Sequence, residues 1–253
     1  MAIPKTPTHL RERAAALHLH GLVAHWDDLA DADWVERLVD WEETERARRS
    51  MVRRLGHAAI GNFKSLADFD WAWPKRCDRA AIEELMRLDF LADASNVLLM
   101  GPNGVGKTMI AQNLAHQALL RGHTVRFTSA GDLLGELAAI DSASHLQRRL
   151  RHYAHFDLLC IDEVGYLSYS NRHADLLFEL TNRRYEKKST VLTSNRAFSE
   201  WSEVFPNAAC VVSMVDRLTH HAEIIPIDGE SYRVREAQQR NESRMQKRRP
   251  KRS

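Results

Sequence analysis

Eight residues, Gly101 to Thr108, read GPNGVGKT and follow the apolar run NVLLM. The spacing is G-x-x-x-x-G-K-[ST], which lies where a strand gives way to the helical stretch MIAQNLAHQALL, the setting such a loop requires. Glycines let backbone N–H groups turn inward around phosphates, and the helix N-terminus adds positive potential. On this reading Gly101, Pro102, Asn103, Gly104, Val105, Gly106, Lys107, Thr108 and Met109 cradle a nucleotide, ATP. Lys107 reaches its β and γ phosphates, and the Thr108 hydroxyl ligates Mg²⁺.

Two further strand ends carry the polar groups that hydrolysis needs. FDLLCIDE ends in two carboxylates, the form of a Walker B element. There Asp162 is expected to hold the magnesium and Glu163 to polarise the attacking water. Alone, such a pair is more simply a helix cap or a surface pair; downstream of a phosphate loop the catalytic reading prevails. STVLTSN places Asn195 at a third strand end, where an amide can bond both the γ-phosphate and the lytic water; the simpler alternative is a turn residue. Phosphoryl transfer also needs positive charge opposite the leaving group, sometimes supplied by a neighbouring subunit. Arg217 and Arg233 are the candidates, each equally readable as an exposed charge on a helix or strand end.

The elements that position these groups follow from hydrophobic patterning. Beyond Pro74, apolar runs at 96–100, 124–129, 157–162, 189–194 and 223–227 alternate with helical segments, which predicts a parallel sheet covered on both faces, an α/β fold. Ligands of such sheets bind outside the carboxyl ends of the strands, so the three polar elements should converge. Up to about Gly61 the chain reads as helical, with Leu10, Ala14 and Leu17 on one amphipathic face and Trp34, Leu38 and Trp41 on another. The expected organisation is a helical domain over 1–61, a linker over 62–75, an ATPase domain over 76–235 and a basic tail over 236–253.

Composition agrees with a soluble, cytoplasmic globular protein. Of 253 residues, 44% are apolar and 28% charged, near globular averages. Cys77, Cys160 and Cys210 form no CxxC pair, so they suggest neither a zinc site nor a disulfide framework. No segment approaches a membrane span, and MAIPKTPTHLRER lacks the apolar core of a signal peptide. The net charge of +2 conceals an asymmetry: residues 233–253 carry nine Lys/Arg against two Glu, which favours a polyanionic partner.

Six segments, NVLLMGPNGVGKT, TVRFTSAGDLL, DLLCIDEVGYL, LLFELTNRRYE, STVLTSNRAFSEWSEVF and DRLTHHAEIIPIDGESYR, resemble in order and spacing the IstB-type transposition helper ATPases. These are AAA+ proteins, relatives of the bacterial replication initiator and helicase loader. The resemblance covers nearly the whole chain. It implies an AAA+ P-loop core with a five-stranded sheet in the order 5-1-4-3-2, a small helical domain before it, a reduced lid, and homo-oligomers that assemble on DNA in the ATP state. By the same resemblance Arg217 acts as an arginine finger in trans, Arg233 contacts nucleotide, and the partner is the cognate transposase. Asn103 and Met109 stand where the family usually has Pro and His, and Ser168 where it has Pro; no group needed for the chemistry is lost.

In AAA+ initiators, helices between the second and third strands touch DNA; the corresponding insert here holds Arg148, Arg149 and Arg151. Arg46, Arg48, Arg49, Arg53 and Arg54, with Lys247, Arg248 and Arg249 of the tail, add phosphate-contacting candidates for double-stranded DNA, read without sequence preference. The plainer reading of the first group is a solvated helix with Glu42–Arg46 and Glu45–Arg49 pairs, and of the tail a solubilising end. Two other functions compete: a replicative helicase loader with the same engine, and a small-molecule kinase, which would need an acceptor pocket and an arginine-rich lid.

Overall fold

The computed structural model describes residues 7–29, 32–166, 169–206 and 208–248. The chain divides into two compact units, Met1–Gly56 and His57–Ser253.

Among the described residues, four helices supply the first unit: α1 (Pro7–Ala16), α2 (His20–Ala24), α3 (Trp26–Leu29) and α4 (Asp33–Ala58), which runs two residues past it. Ala14, Leu17, Trp26, Val35 and Val39 form its core. Arg13 on α1 ties to α4 through Glu43 at 2.9 and 2.6 Å and Asp40 at 2.6 Å. The helix expected around Trp34 and Trp41 is present, but its face is corrected. Val35 and Val39 are fully buried, whereas Trp34 is 47% and Trp41 63% exposed. The i, i+4, i+7 pattern of large apolar residues marks one side of the helix and the smaller β-branched pair another; the pair that is buried is the one packed with Ala14, Leu17 and Trp26.

In the second unit, α5 (Arg79–Leu85) precedes the first strand. Then β1 (Asn96–Met100), α6 (Lys107–Leu120), β2 (Val125–Ser129), α7 (Ala130–Ala138), α8 (Ala143–His155), β3 (Leu158–Val164), α9 (Asn171–Arg184) and β4 (Ser189–Ser194) follow. After them come α10 (Trp201–Val204), α11 (Ala208–His220), β5 (Ala222–Pro226) and α12 (Tyr232–Arg248). The strands form one parallel sheet in the order β2-β3-β4-β1-β5, the expected order read from the other edge. In place of a lid domain, the described residues after β5 hold one helix, α12.

Alternation along the strands divides the core in two. Val97, Leu99, Leu158, Cys160 and Val191 face one way and pack with Ile110, Leu114 and Ala118 of α6. Leu98, Leu159, Ile161 and Leu192 face the other way and pack with α7, α8, α9 and α11. Successive strand side chains point to opposite faces, so continuous apolar runs are needed where both faces are covered. Residues 62–75 lie in this unit, with Phe69 buried and Phe63, Leu66 and Trp71 packed on the α6 side.

Local chemistry sets the helix starts. Ser129, Ser142 and Ser170 cap α7, α8 and α9 by accepting backbone N–H groups. By contrast α6 opens on Gly106, in the left-handed region at φ 103°, with no side-chain cap. Its first N–H groups therefore face the loop that precedes them, where an anion can accept from them.

Behind the sheet, Arg184 is 2% exposed with no carboxylate bonded to it. It donates to the carbonyls of Tyr153, Ala154 and Phe156 at 3.1, 3.2 and 2.9 Å, to the Ser189 carbonyl, and to Thr190 Oγ1 at 3.0 Å. It thereby caps the end of α8 and fastens it to the start of β4. Burial holds its pKa down to about 9. No helix of the described residues is long and apolar enough to cross a membrane.

Candidate nucleotide site

The carboxyl ends of β1, β3 and β4 open on one cavity of about 780 Å³. Residues 103–109, Glu163, Thr193, Asn195, Tyr232 and Arg233 line it, together with Phe63, Asp68, Phe69, Asp70 and Trp73. Its size suits a nucleotide.

Tight packing shapes the loop itself. Gly101 N–H donates to Ser194 O at 3.0 Å, and Ile227 N–H donates to Met100 O at 2.7 Å. A Cβ on Gly101, at φ 152°, would lie 1.8 Å from the Ile227 carbonyl oxygen, so only glycine fits. Gly104 accepts from Tyr232 N–H at 2.9 Å, which docks the start of α12 directly on the loop.

Lys107 is 8% exposed, and its ammonium donates to the carbonyls of Gly101 at 2.6 Å and Pro102 at 2.7 Å. Burial, aided by the positive charge of Arg233, lowers its pKa to about 8 against the opposing pull of Asp162 and Glu163. The cation rests on neutral carbonyls, a setting in which a polyanion would be a better partner.

Asp162 Oδ1 accepts from Thr193 Oγ1 at 2.5 Å and from Thr108 Oγ1 at 3.1 Å. Oxygens bound to one magnesium at right angles, with bonds of about 2.05 Å, lie about 2.9 Å apart. The Thr108–Asp162 pair is already near that spacing and fits the ion without a backbone shift.

Glu163 is exposed to the cavity and adopts φ 62°, a left-handed conformation that costs a non-glycine residue energy and clusters at functional sites. The β3–β4 register shifts between Ile161 and Val164. Within that irregularity Thr193 Oγ1 accepts from Glu163 N–H at 2.9 Å while donating to Asp162. Thr193 thus fixes both carboxylate-bearing residues, a role the sequence offered only as the residue two before Asn195. Asn195 Oδ1 is buried without a hydrogen-bond partner; such an atom on a cavity wall marks a place for a ligand or water.

Missing from the sequence reading was the aromatic wall. Phe69 and Trp73 come from the 62–75 segment and Tyr232 from α12. Trp73 Nε1 donates to Glu230 O at 2.8 Å, and the Arg235 guanidinium stacks 4.3 Å from the Trp73 ring while pairing with Asp70 at 3.0 Å. The signal was present in FDWAWP, whose aromatics have reason to precede a phosphate loop if they bound its cavity.

Arg217 is not among the lining residues. It sits on α11, donating to Ser213 Oγ at 2.5 Å and resting 5.1 Å from the Phe178 ring centre. Arg233 lies on the cavity wall.

The basic candidates divide as well. On α8, Arg148 and Arg151 are exposed, while Arg149 pairs with Glu136 and stacks on Tyr153. On α4, Arg46 pairs with Glu42 at 2.9 Å, and Arg48 and Arg49 pair with Glu45 at 2.7 and 2.8 Å, the expected helix pairs among them. Arg54 donates to Ser50 Oγ at 2.6 Å and Arg53 is exposed. The backbone of Lys247 and Arg248 belongs to α12; Arg249, like Ser168, lies outside the described residues.

Comparison with known proteins agrees with this architecture. The family model for IstB-like ATP binding proteins matches residues 8–240. An ATP-binding protein of insertion sequence IS5376 from Geobacillus stearothermophilus is 33% identical over 236 residues, 90% of this chain and 94% of that protein. One of insertion sequence IS21 from Pseudomonas aeruginosa is 39% identical over 191 residues, 76% and 72% of the two chains. Among solved structures, DnaI aligns with a TM-score of 0.55 at 21% identity, over 64% of this chain and 90% of that one. The replication initiator DnaA bound to AMPPCP and single-stranded DNA aligns at 0.51 and 19% identity, over 70% and 56%. These two likenesses concern the fold, which is that of the AAA+ P-loop proteins. With the match running from the first helix into α12, the chain belongs to the family of IstB-like ATP binding proteins.

Proposed function

We propose that this protein is a DNA-stimulated ATPase that assembles on duplex DNA and delivers or activates a transposase during insertion-sequence transposition, in the cytoplasm. The observation that carries the reading is the convergence of three strand ends on one cavity, with the orphaned Asn195 Oδ1 at its wall.

In this reading Lys107 exchanges the Gly101 and Pro102 carbonyls for the β and γ phosphates, while N–H groups of residues 103–109 bind phosphate oxygens at the start of α6. Thr108 and Asp162 hold magnesium, which when bound neutralises charge developing on the phosphates. Glu163 takes a proton from the attacking water, a role supported by its place on the cavity wall and its left-handed backbone. Asn195 bonds the attacking water through its unmet acceptor or, after an amide flip, the γ-phosphate through its N–H₂ group. Arg233 adds charge from the same chain. Arg217 completes the γ-phosphate shell of a neighbouring protomer, a role supported by its not lining the cavity of its own chain.

The link to DNA rests on α12. Its first turn is bonded to the phosphate loop through Tyr232 and Gly104, and its sequence runs into the basic tail. A shift of the loop on nucleotide binding would therefore move a helix rich in positive charge. Arg148 and Arg151 offer a second set of phosphate contacts. Insertion-sequence relatives favour a transposase over a replicative helicase as partner.

The test is to image and size the purified protein with duplex DNA and a slowly hydrolysed ATP analogue. Nucleotide-dependent multimers on DNA, with binding that weakens steeply as salt rises, are expected. A protein that stays monomeric with both ligands present would overturn the reading.

A further inference from the structure

At the opposite end of the sheet from the nucleotide cavity, α11 stops at His220 and the chain enters β5 at Ala222. On a continuous helix, adjacent residues project about 100° apart. Here the helix ends between them, and the His220 and His221 rings come within 4.1 Å, centre to centre. Glu186, in the turn between α9 and β4, meets both: its Oε1 lies 3.9 Å from His220 Nδ1 and 3.5 Å from His221 Nε2. One ligand atom from each of the three lies within 4.8 Å of the others.

We propose that Glu186, His220 and His221 form a binding site for a zinc-class divalent metal ion. Two imidazole nitrogens and one carboxylate oxygen are the donor set such ions prefer, leaving a fourth position for water. Tetrahedral bonds of about 2.1 Å place ligand atoms about 3.4 Å apart. The Glu186–His221 distance already matches, and the Glu186–His220 distance closes by a small side-chain rotation.

Two observations beyond the cluster support the site. First, the backbone at His221 and around Glu186 is held. Asn96 N–H donates to His221 O at 2.7 Å, and Lys187 and Lys188 N–H donate to Arg184 O at 2.9 and 3.0 Å around Glu186. Less ordering is then required on binding. Second, the Tyr185 hydroxyl lies 2.8 Å from His220 Nδ1. That contact fixes the orientation of the His220 ring beside Glu186 and His221. A metal ion bound at Nδ1 would displace the hydroxyl from that nitrogen. All three ligand side chains are about half exposed, so an ion can enter from solvent. The bound ion would join the end of α11 to the α9–β4 turn, one helical turn from Arg217.

The experiment titrates chelator-treated, untagged full-length protein with Co²⁺, followed by visible absorption, and then displaces it with Zn²⁺. Wild type should take up one equivalent with the intense bands of low-coordinate cobalt. Glu186→Gln and His221→Ala should each weaken binding tenfold or more, while His145→Ala leaves it unchanged. Saturating zinc should raise the unfolding temperature of wild type but not of the two cluster variants, whose folding is checked by circular dichroism. No stoichiometric uptake by wild type, or uptake that folded Glu186→Gln and His221→Ala retain at full affinity, would overturn the proposal.

Discussion

Raising the pH from 7 to 9 should weaken ATP binding about tenfold through one side chain. Lys107 is buried against carbonyl groups with a pKa of about 8, and in the proposed complex it sits among phosphate oxygens that restore its charge. Binding then takes up a proton wherever the free protein has lost it. The uptake should be about 0.1 proton at pH 7, 0.5 at pH 8 and 0.9 at pH 9. The sign follows from linkage: the ligand binds the protonated form, so affinity is full below the pKa of the free protein and falls as pH rises through it. With that pKa, the ratio of protonated fractions at pH 7 and 9 is about ten, roughly 1.4 kcal/mol. Isothermal titration calorimetry at each pH, in two buffers of different ionisation enthalpy, measures the uptake directly. Lys107→Arg supplies the control, because arginine stays charged and its uptake should vanish. Uptake near zero at pH 9 in the wild type, or uptake that persists in Lys107→Arg, would refute the assignment of the perturbed group and its contact with phosphate.

Other expectations can be checked separately. Glu163→Gln should bind ATP normally but hydrolyse it about 10²- to 10⁴-fold more slowly, with longer-lived DNA complexes in a filter or gel assay; normal turnover would remove Glu163 from its role. Arg217→Ala should bind nucleotide and lose about 10³-fold in turnover, and mixing it with Lys107→Ala should partly restore hydrolysis if the arginine acts between protomers. Gly101→Ala should destabilise the fold by about 3 kcal/mol or more, from the clash with Ile227 O and the positive φ; denaturant unfolding would show it. Arg184→Met should cost about 3 kcal/mol by leaving buried carbonyls of α8 and β4 unpaired, again read from denaturant midpoints.

The strands were legible because those inside the sheet are buried on both faces and so read as largely apolar runs; NVLLM and STVLTS coincide with β1 and β4 to the residue. The phosphate loop was legible because its glycines answer to backbone geometry, which tolerates few substitutes. Reading failed where a choice depended on a neighbour. Trp34 and Trp41 are larger than Val35 and Val39, yet the smaller pair is buried, since the room among Ala14, Leu17 and Trp26 is a property of the packed core. Phe69 and Trp73 looked like linker residues until the fold set them across from α6 and α12. Arg149 looked equivalent to Arg148 and Arg151 until Glu136 was found beside it.

Alone, the order of residues determined what is written locally: the alternation of buried strands and helices, the glycine loop before α6, and the polar residues at the close of two further strands. Only the tertiary structure decided which groups meet. It brought Thr193 under Asp162 and Glu163, left Arg217 outside its own cavity, docked Tyr232 on Gly104, and set Glu186 against two histidines more than thirty positions away. Contacts between such distant positions depend on how whole elements stack, and stacking is set by the summed fit of many side chains, which no short window of sequence contains.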